Sequence, residues 1–77
     1  MTELVKFMVN ELVEKKDEVR ITMGDDNTVN VKVAKSDMGK VIGKDGRIAK
    51  AIRTIVKAAG NKENVKYTVV ILEADEQ

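Results

Sequence analysis

The turn that decides this fold lies within the segment Val41-Ile42-Gly43-Lys44-Asp45-Gly46-Arg47-Ile48, which has two glycines three positions apart and a lysine between them. Glycine adopts positive φ without steric cost and lets another backbone approach closely, so both ends of this four-residue turn can be sharp. A helix that begins after the turn adds free N–H donors and a partial positive charge. The segment is therefore predicted to hold an anion such as a phosphate group.

Helices are predicted on both sides of this turn. Before it, Ser36 is a candidate N-cap for a short helix that Gly43 terminates. After it, a longer basic helix is predicted to end at Gly60-Asn61. The apolar residues of this longer helix recur at the spacing of one helical face: Ile48, Ala51, Ile52, Ile55 and Ala59.

The N-terminal half of the chain predicts a helix followed by a hairpin. Thr2 is a candidate cap for the helix, which is expected to end near Lys15 or Lys16. Apolar and polar residues then alternate over 19–23 and over 29–33, which is typical of two half-buried strands. Gly24-Asp25-Asp26-Asn27 separates them with strong turn chemistry, so the pair is predicted to be antiparallel.

The C-terminal run from Tyr67 to Leu72 is β-branched and nearly continuously apolar, which favours a covered strand before an acidic tail over 73–77. The elements therefore follow the order α-β-β-α-α-β within a single domain over 1–77. The economical arrangement is an α+β fold with one three-stranded mixed sheet and three helices on one face. The last strand, which is reached through two helices, is expected to run parallel to a hairpin strand.

The composition excludes several classes of site. The chain of 77 residues has no Cys and no His, which removes disulfides, thiolate nucleophiles, imidazole bases and the common zinc sites. We therefore expect no enzymatic activity, no metal, no cofactor and no small-molecule substrate. The start of the sequence lacks a signal-peptide pattern and no apolar run reaches membrane-spanning length, so a cytoplasmic protein without membrane contact is expected.

Charge is segregated along the chain. The stretch from Lys35 to Lys57 has seven basic residues and two acidic ones, which is a net charge of +5. The rest of the chain carries a net charge of −4, and the whole chain +1. A local positive region on a nearly neutral protein predicts contact with a polyanion at one surface.

At this point the sequence resembles a type II KH domain. The segment 41–48 is similar to the KH signature of an apolar pair, Gly-x-x-Gly and an apolar residue two positions on, and the resemblance covers essentially the whole chain because an N-terminal helix and hairpin distinguish type II. It implies a type II KH fold and binding of single-stranded RNA, with Gly43, Lys44, Asp45 and Gly46 clamping the nucleic-acid backbone.

The resemblance also implies the surroundings of the clamp. Ile42 and Ile48 are expected to line an apolar groove together with the second strand at Val31 and Val33. Arg47 and Lys40 flank the loop, either as phosphate contacts or as ordinary surface charges. Asp45 either weakens binding beside the phosphate path or caps the following helix.

The length of the chain makes it similar to the small bacterial KH proteins that bind RNA. That similarity implies action as an RNA chaperone or post-transcriptional regulator, either as a homodimer or as a heterodimer with a KH protein of the KhpB or Jag type. The alternatives are a protein-interaction module with little RNA binding, or a single-stranded DNA binder.

Two other classes fit the residues poorly. A helix-turn-helix DNA reader needs base-reading side chains such as Asn or Gln, which the start of the third predicted helix lacks. A nucleotide hydrolase needs the spacing Gly-x-x-x-x-Gly-Lys-Ser/Thr after a strand, whereas Gly43 follows a predicted helix.

Overall fold

In the computed structural model, which describes residues 1–74, the main elements follow the order α-β-β-α-α-β, as predicted. They are α1 (Thr2–Leu12), β1 (Arg20–Met23), β2 (Thr28–Val33), α2 (Met38–Ile42), α3 (Arg47–Glu63) and β3 (Thr68–Glu73). Glu73, which the sequence assigned to an acidic tail, is the last residue of β3. Residues 75–77 of that tail lie outside the described part of the chain.

The strands form one mixed sheet in the order β1-β2-β3. β1 and β2 are antiparallel, with Arg20 opposite Lys32 and Met23 opposite Val29. β2 and β3 are parallel, with Thr28 opposite Thr68. The predicted hairpin and the predicted parallel crossover strand are both confirmed, and the arrangement is that of the type II KH fold.

The core lies between the sheet and the three helices, which cover one of its faces. β2 alternates strictly, so that every second side chain points into the core. Burying each valine contributes roughly 1.5 kcal/mol or more, and the largest fully buried hydrophobic side chains of residues 1–74 are all valines: Val5, Val9, Val29, Val31, Val33, Val41 and Val56.

Helix α1 differs at both ends from the helix predicted by the sequence. Met1, and not Thr2, occupies the N-cap position, and no side chain caps the helix. The helix ends at Leu12 because the amides of Glu14 and Lys15 donate to the carboxylate of Asp37, at 3.1 and 3.0 Å. A tertiary contact therefore replaces the last predicted helical turn.

The start of α2 also differs from the prediction. Ser36 lies in a 3₁₀ turn over Lys35–Asp37, and Asp37 occupies the N-cap position. No side chain caps α2, because the Asp37 carboxylate bonds to the segment after α1. The predicted end at Gly43 is confirmed, since its φ of 76° leaves the helical region.

Helix α3 is longer than predicted, and the face that it buries differs from the predicted apolar face. It continues through Gly60 to Glu63 and ends at Asn64, which has a φ of 61°. Gly60 is needed for close packing, since a Cβ atom there would lie 2.5 Å from the carbonyl oxygen of Val65. The face that packs on the sheet has small residues at both ends and consists of Ala49, Ile52, Val56 and Gly60, whereas Ala51 and Ile55 are exposed.

Candidate nucleic-acid interface

The loop between α2 and α3 depends on Gly43 for two reasons. Its φ of 76° and ψ of 174° are strained for any residue with a side chain. A Cβ atom at this position would also lie 2.6 Å from Cγ1 of Ile48. Gly46 has a φ of 72° but open space around it, so that it keeps the surface of the loop free.

Two main-chain hydrogen bonds hold the loop, and its tip is exposed. The amide of Gly43 donates to the carbonyl of Gly39 at 2.9 Å. The amide of Gly46 donates to the carbonyl of Gly43 at 3.1 Å. Lys44 and Asp45, at the tip of the loop, are both exposed. This exposed tip lies directly before the N-terminus of a 17-residue helix, where an anion is favoured.

Lys44 and Arg47 add positive charge at the tip of the loop and at the start of α3. Both side chains are exposed, and neither forms an ion pair with any residue in the described range 1–74. An unpaired, exposed cation attracts a phosphate without first breaking an internal ion pair.

Asp45 does not cap α3. The helix begins at Arg47 with Gly46 in the N-cap position, and no side chain bonds to its first turn. Asp45 instead has a φ of 56° and a ψ of 25°, a left-handed conformation that aspartate tolerates better than most residues. Its exposed carboxylate therefore leaves a negative charge at the tip of the loop.

Lys40 is occupied elsewhere. Its ammonium group bonds to Oε1 of Glu14 and lies 3.6 Å from Oδ1 of Asp37. The hydrogen bond to Glu14 and the charge of that residue raise the pKa of Lys40, as does the charge of Asp37. Of the two basic residues flanking the loop in the sequence prediction, Lys40 is directed toward Glu14, in the segment after α1, and Arg47 forms no ion pair with residues 1–74.

The predicted groove residues separate into two groups. Ile42 and Ile48 are half-buried beside the loop, which is compatible with a partly apolar binding surface. Val31 and Val33 are 0% exposed, so the prediction that they line the groove is wrong. They belong to the central strand, and their alternation points them into the core beneath the helices.

A cleft of about 470 Å³ lies instead between α3 and the edge strand β3. The side contributed by α3 consists of Arg53, Lys57 and Asn61, and the other side runs from Val65 to Val69. The site residues predicted from the sequence did not include Arg53 and Lys57. Their spacing from Lys50 could have indicated them, because positions 50, 53 and 57 share one helix face with Gly46 at the end of the loop.

The free edge of β3 borders this cleft. The amide of Ala74 donates to the carbonyl of Val33 in β2, at 2.7 Å, whereas the carbonyl of Val69 accepts from Nε of Arg53, at 3.4 Å. Because successive residues in a strand present their main-chain groups to opposite sides, the groups of Val69 and Ile71 point to the free edge. The edge therefore offers both donors and acceptors along the cleft.

Residues 1–74 contain neither a candidate metal site nor a candidate membrane-spanning helix. His, Cys, Asp and Glu side chains form no group of three or more there that could hold a metal ion. Every helix in that range is too short or too polar to cross a bilayer.

Comparison with known proteins gives matches over nearly the whole chain. The family model described as KhpA/KhpB, KH domain matches residues 2–71. The RNA-binding protein KhpA of Clostridium perfringens is 51% identical over 75 residues, which are 94% of this chain and all of that protein. Its namesake from Listeria monocytogenes is 46% identical over 76 residues, 95% of this chain and all of the relative. No solved structure matches this chain.

The same name extends to a more distant relative, the RNA-binding protein KhpA of Chlamydia trachomatis. It is 41% identical over 76 residues, which cover 95% of this chain and 97% of that protein. The predicted resemblance to bacterial KH proteins is thus confirmed by a family match and by full-length relatives. The chain belongs to the KhpA/KhpB family of KH domains, which are binding modules and not enzymes.

Proposed function

We propose that this chain, acting as a single KH domain over 1–77, binds single-stranded RNA through the loop Gly43–Gly46 and the adjoining surface of α3. The observation that supports this most directly is the exposed tip of the loop directly before the N-terminus of α3, with two unpaired cations at Lys44 and Arg47. Relatives that match over their full length are named RNA-binding proteins.

In this proposal the loop holds the sugar–phosphate backbone. The amides of Lys44 and Asp45 donate to phosphate oxygens, and Lys44 and Arg47 supply charge. A Cβ atom at Gly46 would have no neighbouring atom within 4 Å, so the strand can lie against the backbone of the loop. Ile42 and Ile48 provide the apolar contact beneath the first nucleotide.

The remaining nucleotides follow one face of α3 toward the cleft. This basic face consists of Lys50, Arg53 and Lys57. From Gly46 to Lys57 the helix rises by about 16 Å, a length that suits the roughly four nucleotides a KH module clamps. The free edge of β3 then offers main-chain donors and acceptors to base edges. Bases reach that edge only when they are unpaired, which favours single strands over duplexes.

The choice of RNA over DNA rests on the relatives, because phosphate contacts are common to both nucleic acids. A 2′-hydroxyl can both donate and accept a hydrogen bond, and the alternating groups at the edge of β3 provide partners for it. Binding of single-stranded DNA with equal affinity is the alternative outcome.

In the cell we propose an RNA chaperone or post-transcriptional regulator of the cytoplasm. Exposed residues of α3 form an apolar ridge, which consists of Ala51, Ile55 and Ala58, with Ile55 45% exposed. This ridge is our candidate surface for self-association, or for pairing with a KH protein of the KhpB type. A module that uses only this ridge and binds no RNA is the second candidate function.

The test is fluorescence anisotropy with a short labelled single-stranded RNA, its DNA counterpart and an RNA duplex. Lys44→Asp should lower RNA affinity by about tenfold or more, because it replaces an attraction by a repulsion at the phosphate. Lys6→Asp makes the same change of charge on the exposed face of α1 and should have little effect. Equal affinities for the two variants would contradict the proposed clamp.

A further inference from the structure

Asp37 is a buried charged residue at the start of α2, and its partners lie outside the loop Gly43–Gly46. Its side chain is 1% exposed, and it is the charged residue that residues 1–74 bury most completely. Oδ1 accepts from the amide of Glu14 and Oδ2 from the amide of Lys15. Two main-chain donors thus converge on one carboxylate from a segment 22 and 23 residues away.

The carboxylate of Asp37 also lies near Lys40, which in turn contacts Glu14. The ammonium group of Lys40 lies 3.6 Å from Oδ1 of Asp37 and also bonds to the side chain of Glu14. Glu14 therefore contacts Asp37 through its main chain and Lys40 through its side chain. Together these contacts join the segment after α1 to the first turn of α2.

Helix α2 needs such external support. It has only five residues, from Met38 to Ile42, and an isolated helix of that length is unstable in water. Val41 anchors its middle in the core, and the Asp37 contacts anchor its start. Its last residue is Ile42, and the next residue, Gly43, begins the loop.

The chemistry at position 37 is specific to a short carboxylate. An ionised Asp has two acceptor oxygens and no donor, which matches two N–H groups. An Asn side chain offers one oxygen and one NH₂ group, so that one amide after α1 would face a donor. A Glu side chain is longer by one methylene, and the buried position leaves no room for it without movement of α2.

We propose that Asp37 is a positioning residue for the loop Gly43–Gly46, because its carboxylate fixes the start of α2 to the end of α1 and thereby sets the orientation of the loop. The consequence for RNA affinity rests on the function proposed above. The consequence for the loop itself does not, since it concerns only the path of the chain.

The first experiment compares Asp37→Asn with Val9→Ala. Val9 is fully buried on α1, and its truncation destabilises the protein without touching the Asp37 contacts. Both variants are studied at a temperature and urea concentration at which circular dichroism shows them fully folded. The amide resonances of Lys44 and Asp45 should shift in Asp37→Asn and stay in place in Val9→Ala. RNA affinity should fall by about fivefold or more in Asp37→Asn alone.

A second pair of variants keeps Asp37 and tests the contact from its other side. Lys15→Pro removes the amide that donates to Oδ2, whereas Lys15→Ala removes the same side chain and keeps the amide. Lys15 is exposed and lies between α1 and β1, so this pair also decides the question if Asp37→Asn does not fold. The loop amides should shift, and RNA affinity should fall, only in Lys15→Pro.

Unchanged loop resonances and affinity in folded Asp37→Asn, or equal behaviour of Lys15→Pro and Lys15→Ala, would overturn the positioning role. Failure of the parent chain to bind RNA is a different result. It would remove the proposed function, while the loop resonances would still support or refute the role of Asp37.

Discussion

A side-chain carbon on Gly43 would lie 2.6 Å from Cγ1 of Ile48, so the first apolar residue of α3 fills the space that any larger residue at position 43 requires. The contact joins the end of α2 to the first turn of α3 across the loop. Gly43 is therefore constrained by its φ and by its neighbour, whereas Gly46 is constrained by its φ alone.

This difference predicts unequal effects for two similar substitutions. Gly46→Ala should lower the free energy of unfolding by about 1 kcal/mol, the usual cost of a left-handed conformation. Gly43→Ala should cost more than about 2 kcal/mol, because Ile48 must also move. Urea unfolding followed by circular dichroism measures both, and equal losses would contradict the steric role of Ile48.

RNA affinity should fall steeply with salt. The logarithm of the binding constant is expected to decrease with the logarithm of the salt concentration, with a slope of about 0.7 for each phosphate neutralised on a single strand. Lys44→Ala should reduce this slope by about 0.7, while Lys6→Ala leaves it unchanged. Titrations between low and moderate salt measure the slopes. A flat salt response in the parent chain would exclude phosphate contacts as the main source of affinity.

Asp45→Asn should strengthen RNA binding. Asn tolerates the left-handed conformation observed at this position, where φ is 56°, so that the loop keeps its path. The substitution removes a negative charge beside the proposed phosphate site, and a gain of about twofold to fivefold is expected, as for other exposed charges. Anisotropy titrations should show that the gain shrinks at high salt. A loss of affinity would mean that the carboxylate contributes to binding.

Acid should weaken the fold through Asp37. Hydrogen bonds from the amides of Lys15 and Glu14, together with the charge of Lys40, hold the pKa of Asp37 below its ordinary value of 3.8. A lowered folded pKa stabilises the protein above the unfolded pKa, and the contribution disappears as the pH falls from about 4 through the folded pKa. The difference in unfolding free energy between the parent and Asp37→Asn should therefore be constant near neutral pH and shrink below about pH 4. A difference that persists into strong acid would contradict this origin.

Two neighbouring isoleucines of α3 should respond differently to the same change. Ile52 is 4% exposed and Ile55 is 45% exposed. Ile52→Asp should unfold the chain, since it buries an unpaired charge. Ile55→Asp should keep the fold and remove any self-association that uses the apolar ridge, as judged by light scattering. The structure thus separates Ile55 from Ile52, although the sequence predicted that both lie on one apolar face of the helix. Unfolding by Ile55→Asp would contradict this separation.

Local chemistry was sufficient to predict the order of the elements. Alternation over 29–33 and the turn Gly24-Asp25-Asp26-Asn27 predicted the hairpin, because side-chain period and turn residues act over a few neighbours. Gly43 predicted the end of α2 for the same reason, since a positive φ at one residue is enough to stop a helix. The Gly-x-x-Gly resemblance added the family and the proposed partner.

The details that position the interface required contacts between distant segments. The carboxylate of Asp37 ends α1 at Leu12, and the burial of Ala49 and Gly60 sets which face of α3 remains free. The central position of β2 buries Val31 and Val33, and the edge position of β3 makes it the strand that borders the cleft. The sequence by itself thus determined the elements, their order and the glycine loop, because these depend on neighbouring residues. Helix rotation, strand exposure and the role of Asp37 were decided by the tertiary structure, because each depends on which distant groups meet.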